Sequence, residues 1–188
     1  KINDGEIFCN NCSHHVNIIN GIPRFINQDN YTDNFGFQWN IHSKAQLDSF
    51  TKLSITHDRL FNVTGWKQDL RGEKILEVGS GAGRFTEVLL ESGAEVTSFD
   101  SSNAVVANYN NNFNKGKLNL FQGDILNLPL RKQSYDKVLC FGMLQHTPDP
   151  YTSFLKLIEM VRSGGCVAID IYKKNYLSYL QWKYFLRP

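Results

Sequence analysis

The chain alternates short apolar runs with stretches whose apolar residues recur every three or four positions, which is the pattern of strands and helices taken in turn. Apolar runs closed by glycine or polar turns predict buried strands over 74–79, 94–100, 117–121, 135–141 and 165–171. Helical spacing predicts helices over 83–92, 102–113 and 150–162. Upstream, residues 44–61 and 64–70 also carry helical spacing, with Leu47, Phe50, Leu53 and Leu60 as an expected buried stripe. Residues 6–26 read as a small β-rich appendage, and Asp29 to Asn40 as a polar, aromatic linker that ends in Phe35-Gly36-Phe37-Gln38-Trp39. The run Asn110-Asn111-Asn112, followed by Gly116, fits a helix end and turn. Strands and helices in alternation, with short connections, imply an α/β domain built on a mostly parallel sheet with helices on both faces.

Composition narrows this picture only a little. The chain has 188 residues, of which 41% are hydrophobic, enough for one sizeable core and an appendage. A formal net charge of +2 gives no electrostatic reason to expect nucleic acid as a partner. No apolar run is long enough to span a membrane and no signal peptide opens the chain, so a cytoplasmic location is the expectation. Cys140 and Cys166 fall inside apolar runs and are expected to be buried.

The richest stretch is Ile75-Leu76-Glu77-Val78-Gly79-Ser80-Gly81-Ala82-Gly83-Arg84-Phe85, a strand, a glycine turn and a helix start in succession. Glycines let bare backbone approach a ligand, and the helix start aims its N–H groups into the same crevice. The spacing is G-x-G-x-G: Arg84 or Thr86 stands where the dinucleotide fingerprint needs its third glycine, and no Gly-Lys-Ser/Thr follows as in a P-loop. Glu77, two residues before the turn, would repel a pyrophosphate and attract a cation. Asp100 closes the next strand, where a carboxylate can bind ribose hydroxyls, and Gln122-Gly123-Asp124-Ile125 places a third acidic tip after the strand that follows.

With Glu77-Val78-Gly79-Ser80-Gly81-Ala82-Gly83, Asp100 and Gly123-Asp124-Ile125 in place, the chain resembles the class I S-adenosylmethionine-dependent methyltransferases over roughly residues 60–172. The resemblance implies a Rossmann-like, doubly wound sheet. It also implies a cofactor site in which Glu77, Gly79, Ser80, Gly81 and Gly83 hold the methionine part. Asp100 with Ser101 would hold the ribose hydroxyls, and Asp124 with Ile125 the adenine. The segment Phe141-Gly142-Met143-Leu144-Gln145-His146-Thr147-Pro148-Asp149-Pro150 is similar to the one after the fourth strand in small-molecule members, which adds Phe141 to the cofactor site.

For a hydroxyl or protonated amine acceptor, His146 is the candidate base; otherwise it caps the following turn. Phe37 and Trp39 are candidates for a lid over a sulfonium, or else anchor the N-terminal helices. Arg84 is a candidate acceptor or carboxylate ligand, or a solvated residue of the first helical turn. The expected acceptor is a small molecule, a sugar or a lipid-linked intermediate. An RNA base is the nearest rival, although Phe141-Gly142-Met143-Leu144 lacks the Asn/Asp-Pro-Pro-aromatic pattern that grips exocyclic amines. A module that binds the cofactor without turnover is the rival outside enzymes.

Residues 1–28 resemble the tail half of a zinc ribbon. Zinc would use Cys9 and Cys12 if a further cysteine pair lies upstream, because the spacing of His14 and His15 suits a closed tetrahedral site poorly. Residues 29–70 then form a linker with helices acting as a cofactor lid, and 71–188 the core. Both ends read as cut, with further strands expected beyond the fifth core strand. The C-terminal Tyr172, Tyr176, Tyr179, Trp182, Tyr184 and Phe185, with Lys173, Lys174, Lys183 and Arg187, suit a membrane surface, a glycan or lipid-linked acceptor, a lid over the substrate, or a packed helix.

Overall fold

In the structure, a computed structural model that describes residues 2–26 and 42–171, eight strands form one sheet. They are β1 (Gly5–Phe8), β2 (His15–Ile19), β3 (Ile22–Arg24), β4 (Lys74–Val78), β5 (Glu95–Asp100), β6 (Lys117–Gln122), β7 (Tyr135–Cys140) and β8 (Val161–Ile169). The helices are α1 (Asp48–Thr51), α2 (Ile55–Thr64), α3 (Arg84–Glu91), α4 (Val105–Asn112) and α5 (Pro150–Met160), with single 3₁₀ turns at Ile125–Asn127 and Leu144–His146.

The strand order is β1-β2-β3-β6-β5-β4-β7-β8. From β6 to β8 all neighbours are parallel, and chain direction across the sheet reverses at β4, which pairs with β5 on one side and β7 on the other. Such a reversal leaves a crevice beyond the C-terminal ends of the central strands. Side chains alternate between faces along β4: Ile75 joins a core with Leu60 and Phe61 of α2 and Phe85, Val88 and Leu89 of α3. Its neighbour Leu76 points to the other face, into a core with Phe99, Val138, Leu157 and Met160, the last two from α5. Both are wholly buried, and each such side chain contributes about 1.5–3 kcal/mol of transfer free energy. The fold is thus the mostly parallel sheet with helices on both faces that the alternation predicts, and it is Rossmann-like as the resemblance implies.

The β-rich appendage belongs to the same sheet. β1 and β2 pair antiparallel, as do β2 and β3, and β3 then joins β6 in parallel through Arg24 and Gln122. Arg24 donates from Nη1 to Oε1 of Gln122 at 2.9 Å, and Phe25 meets Phe121 edge to face. Cys9 and Cys12 lie in the turn between β1 and β2, and among the described residues no three His, Cys, Asp or Glu side chains converge as metal ligands.

Several boundaries differ from the sequence expectation. The helix expected over 44–61 is two helices, because Lys52 takes a left-handed conformation (φ 61°) that ends α1. The break turns the periodicity: Leu47 and Leu60 are buried, but Phe50 and Leu53 are 62% and 55% exposed. Residues 65–70 form no helix; they lead to buried Leu70, whose N–H donates to the Ser92 carbonyl. Strand β8 starts at Val161, directly after α5, with an irregularity opposite Tyr135 to Lys137 that takes up extra residues within 162–165. Cys140 is buried as expected, whereas Cys166, on edge strand β8, is exposed. No helix among the described residues is long and apolar enough to cross a membrane.

Candidate active site

Beyond β4 the chain makes its glycine turn with Gly79, Gly81 and Gly83 all at positive φ (77°, 52° and 86°). Phe99 of β5 accepts the N–H groups of both Gly79 and Ser80, which bends the turn over the end of the neighbouring strand. Two of these glycines have no room for a side chain. A Cβ at Gly79 would meet Met143 Cγ at 2.5 Å, and one at Gly83 would collide with the amide groups of Asn108 and Asn112. Gly83 then opens α3.

Asp100, at the end of β5, closes the turn from the other side. Its Oδ2 accepts the Gly81 N–H at 2.9 Å, and its Oδ1 accepts the N–H and hydroxyl of Ser102 at 2.8 and 2.7 Å. An ionised carboxylate has about four lone-pair sites, so three protein donors leave acceptor capacity toward the crevice.

The crevice has a volume of about 330 Å³. Gly79, Ser80, Gly81, Asp100, Ser101, Phe141 and His146 line it, so these sequence-derived candidates come together in one place. Arg84 lines it too, its guanidinium 4.6 Å from the Phe85 ring centroid. Met143 and the wall from Ser43 through Gln46 to Leu47 also line the crevice; the sequence reading expected the helices of residues 29–70 as a lid but named none of these residues individually as cofactor contacts.

Four other candidates stand elsewhere. Glu77 is 2% exposed and lies beneath the turn, not in the crevice wall. Its Oε2 accepts the hydroxyls of Thr86 and Ser98, and burial pushes its carboxyl up to about 7 in spite of those bonds. Gly83 packs against asparagines behind the turn. Asp124 caps the 3₁₀ turn by accepting the Leu126 N–H, and Ile125 is buried in the core on the α5 face. Neither is among the crevice residues, because the 3₁₀ turn directs Ile125 inward. Phe37, Trp39 and the C-terminal aromatics from Tyr172 onward lie outside the described residues.

Two polar atoms at the turn are buried and have no hydrogen-bond partner: the Ser80 hydroxyl oxygen and Oε1 of Glu77. Orphaned buried acceptors are costly, and a site that binds a ligand is the usual place for them. Ser80 is itself 6% exposed and lines the crevice. Hydroxyl oxygen, carboxylate and bare glycine backbone suit a ligand with ribose hydroxyls and a cationic end, which is the chemistry of S-adenosylmethionine.

The rim beside His146 is built by a second set of contacts. Asp170, just after β8, accepts the Gly142 N–H and pairs with Arg59 of α2. The Arg59 guanidinium lies 5.7 Å from the ring centroids of both Phe85 and Phe141, which meet edge to face. Farther back, α1 is fastened to α3 by Ser49, whose N–H and hydroxyl both donate to buried Glu87.

The methyltransferase domain family matches residues 76–169, half of the chain. Among curated proteins, a ubiquinone biosynthesis O-methyltransferase of Coxiella burnetii is 31% identical over 113 residues, covering 59% of this chain and 48% of that protein. The protein of the same name from Nitrosospira multiformis is 33% identical over 114 residues, with the same two shares. The chain thus spans about half the length of these relatives. A phosphoethanolamine N-methyltransferase of Haemonchus contortus, solved with phosphoethanolamine and S-adenosylhomocysteine, superposes with a TM-score of 0.60 at 21% identity. That likeness covers 80% of this chain and 34% of the other, and it concerns the fold.

Proposed function

Since the chain belongs to the methyltransferase domain family, we propose that it transfers a methyl group from S-adenosylmethionine to a small-molecule acceptor, a sugar or lipid-linked intermediate included. The observation that carries this reading is the bond from the Gly81 N–H to Asp100, which joins the turn and the ribose-binding carboxylate into one wall beside the orphaned Ser80 hydroxyl.

S-adenosylmethionine supplies a methyl group on a sulfonium, open to in-line attack. Asp100 and Ser101 would hold its ribose hydroxyls, and the backbone of Gly79, Ser80 and Gly81 its amino-acid end. Glu77, beneath the turn, would set the turn's shape through Thr86 and Ser98, and once ionised, above about pH 7, it would also favour the cationic end through space. Phe85, Phe141, Met143 and Leu47 are the apolar lining that excludes water.

A hydroxyl acceptor has to lose a proton around the transfer, and His146 is the crevice residue suited to take it. The names of the curated relatives favour oxygen as the acceptor atom. Isothermal titration with S-adenosylmethionine and S-adenosylhomocysteine tests the reading, and an absence of heat for both overturns it. An acceptor screen that follows methyl transfer from labelled cofactor, comparing phenols, sugars and RNA, then tests the acceptor class.

A further inference from the structure

Helix α4 turns three asparagines toward the glycine turn. Asn112 donates from Nδ2 to the Gly83 carbonyl at 2.9 Å and to Oδ1 of Asn108, and Asn108 donates in turn to the Thr86 hydroxyl. Both are wholly buried. Half-buried Asn111 is arranged differently. Its Nδ2 donates at 2.9 Å to the Ala82 carbonyl and at 2.9 Å to the Ser43 carbonyl.

A primary amide nitrogen carries two protons, so Asn111 spends one on each carbonyl. Ala82 belongs to the glycine turn, Ser43 begins the N-terminal wall, and both line the crevice. The other anchors of that wall lie farther along the chain: Ser49 on Glu87, and the N–H groups of Thr56 and His57 on the Asp48 carboxylate. The turn likewise keeps its own supports, Asn112 and the Phe99 carbonyl, if Asn111 is replaced.

We propose that Asn111 is a positioning residue that fastens the Ser43 to Leu47 wall to the glycine turn, so that both close on a bound cofactor as one surface. This rests on reading the crevice as the S-adenosylmethionine site. Its replacement leaves each wall folded and separates their motions. Ligand retention then suffers more than stability.

The test compares Asn111→Leu, which is apolar and of similar size, and Asn111→Asp, which keeps the shape but loses the donor, with Asn110→Ala at an exposed neighbour. S-adenosylhomocysteine is the probe. Two lost hydrogen bonds predict about tenfold weaker binding in both Asn111 variants, mostly through faster dissociation. Ligand-induced protection from hydrogen exchange should disappear at residues 42–47 and persist at 84–91, with a thermal midpoint for the free protein close to that of the unaltered chain. Should Asn111→Leu fail to fold, Asn111→Asp carries the comparison. Unaltered affinity and protection in both variants, an equal effect in Asn110→Ala, or loss of the fold in both Asn111 variants overturns the proposal. Failure of the unaltered protein to bind the probe instead overturns the reading of the site.

Discussion

Ser98 donates its hydroxyl to Oε2 of Glu77 at 2.8 Å, and the same oxygen takes the hydroxyl of Thr86 while Oε1 has no partner. One half of a buried carboxyl is thus solvated by the protein and the other half is not. Burial outweighs these hydroxyls and the Thr86 N–H, and the carboxyl holds its proton up to about pH 7 instead of its ordinary 4.5.

A pH dependence of stability follows from this. Between pH 4.5 and about 7 the unfolded chain releases the Glu77 proton while the folded one keeps it, so rising pH favours unfolding across that window. At about 1.4 kcal/mol per unit, the loss is on the order of 3 kcal/mol. Glu77→Gln lacks this slope and is expected to be more stable than the unaltered protein above pH 7. Urea unfolding of both proteins from pH 4 to 8 measures the difference, and parallel curves would contradict the assignment.

Two glycines separate strain from crowding. Gly65 and Gly83 both have positive φ, but nothing lies within 4 Å of a Cβ at Gly65, whereas one at Gly83 strikes Asn108 and Asn112. Gly65→Ala is expected to cost about 1 kcal/mol, the left-handed penalty alone. Gly83→Ala should cost more and weaken S-adenosylhomocysteine binding as well. Thermal unfolding with titration of the same variants checks both effects.

Asp100→Asn keeps one acceptor oxygen but sets an amide NH₂ against the Gly81 or Ser102 N–H. Stability should fall by about 1–2 kcal/mol, and binding of S-adenosylhomocysteine should weaken about tenfold or more. Calorimetry on the purified variant measures both. Full affinity would remove Asp100 from the ligand set.

His146→Ala is expected to lower turnover with a hydroxyl acceptor by about 10²–10⁴-fold, the range of general-base catalysis, with little change in S-adenosylhomocysteine affinity. The comparison needs an acceptor found by screening. Equal loss of affinity and turnover would make His146 a binding residue instead.

Thiol reactivity reports the packing directly. Burial pushes the Cys140 thiol up to about 12, so it should resist alkylation at neutral pH until the protein unfolds. Exposed Cys12 and Cys166 should react in the native state. So should Cys9, whose thiol is lowered by the Asn11 N–H and by hydrogen bonds from Cys12. Peptide mapping after brief iodoacetamide treatment distinguishes the four.

The strands and the glycine turn were legible in the sequence because both leave local marks: apolar runs for burial, and glycines where no side chain fits. Apolar periodicity was a poorer guide before β4. Leu47 to Leu60 reads as one stripe only if the helix is continuous, and the left-handed Lys52 that rotates Phe50 and Leu53 outward has no signature in that pattern. The asparagines of α4 read as a helix end because an amide that bonds a distant carbonyl looks, in sequence, like one that meets solvent. Glu77 stood out as a charge near the turn. Its position beneath the turn depends on Thr86 and Ser98, which come from other elements.

The parallel pairing of Arg24 with Gln122 sets an order of assembly. During synthesis β1 to β3 leave the ribosome well before β6 exists, and a three-stranded piece that buries only Val16, Ile18 and Ile22 has little stability alone. β1 to β3 therefore have to wait for β6 before they can join the sheet. Until they arrive the end of β6 at Gln122 keeps its carbonyl unpaired on that side, so a chain lacking residues 1–26 should leave this end of the edge open to another strand.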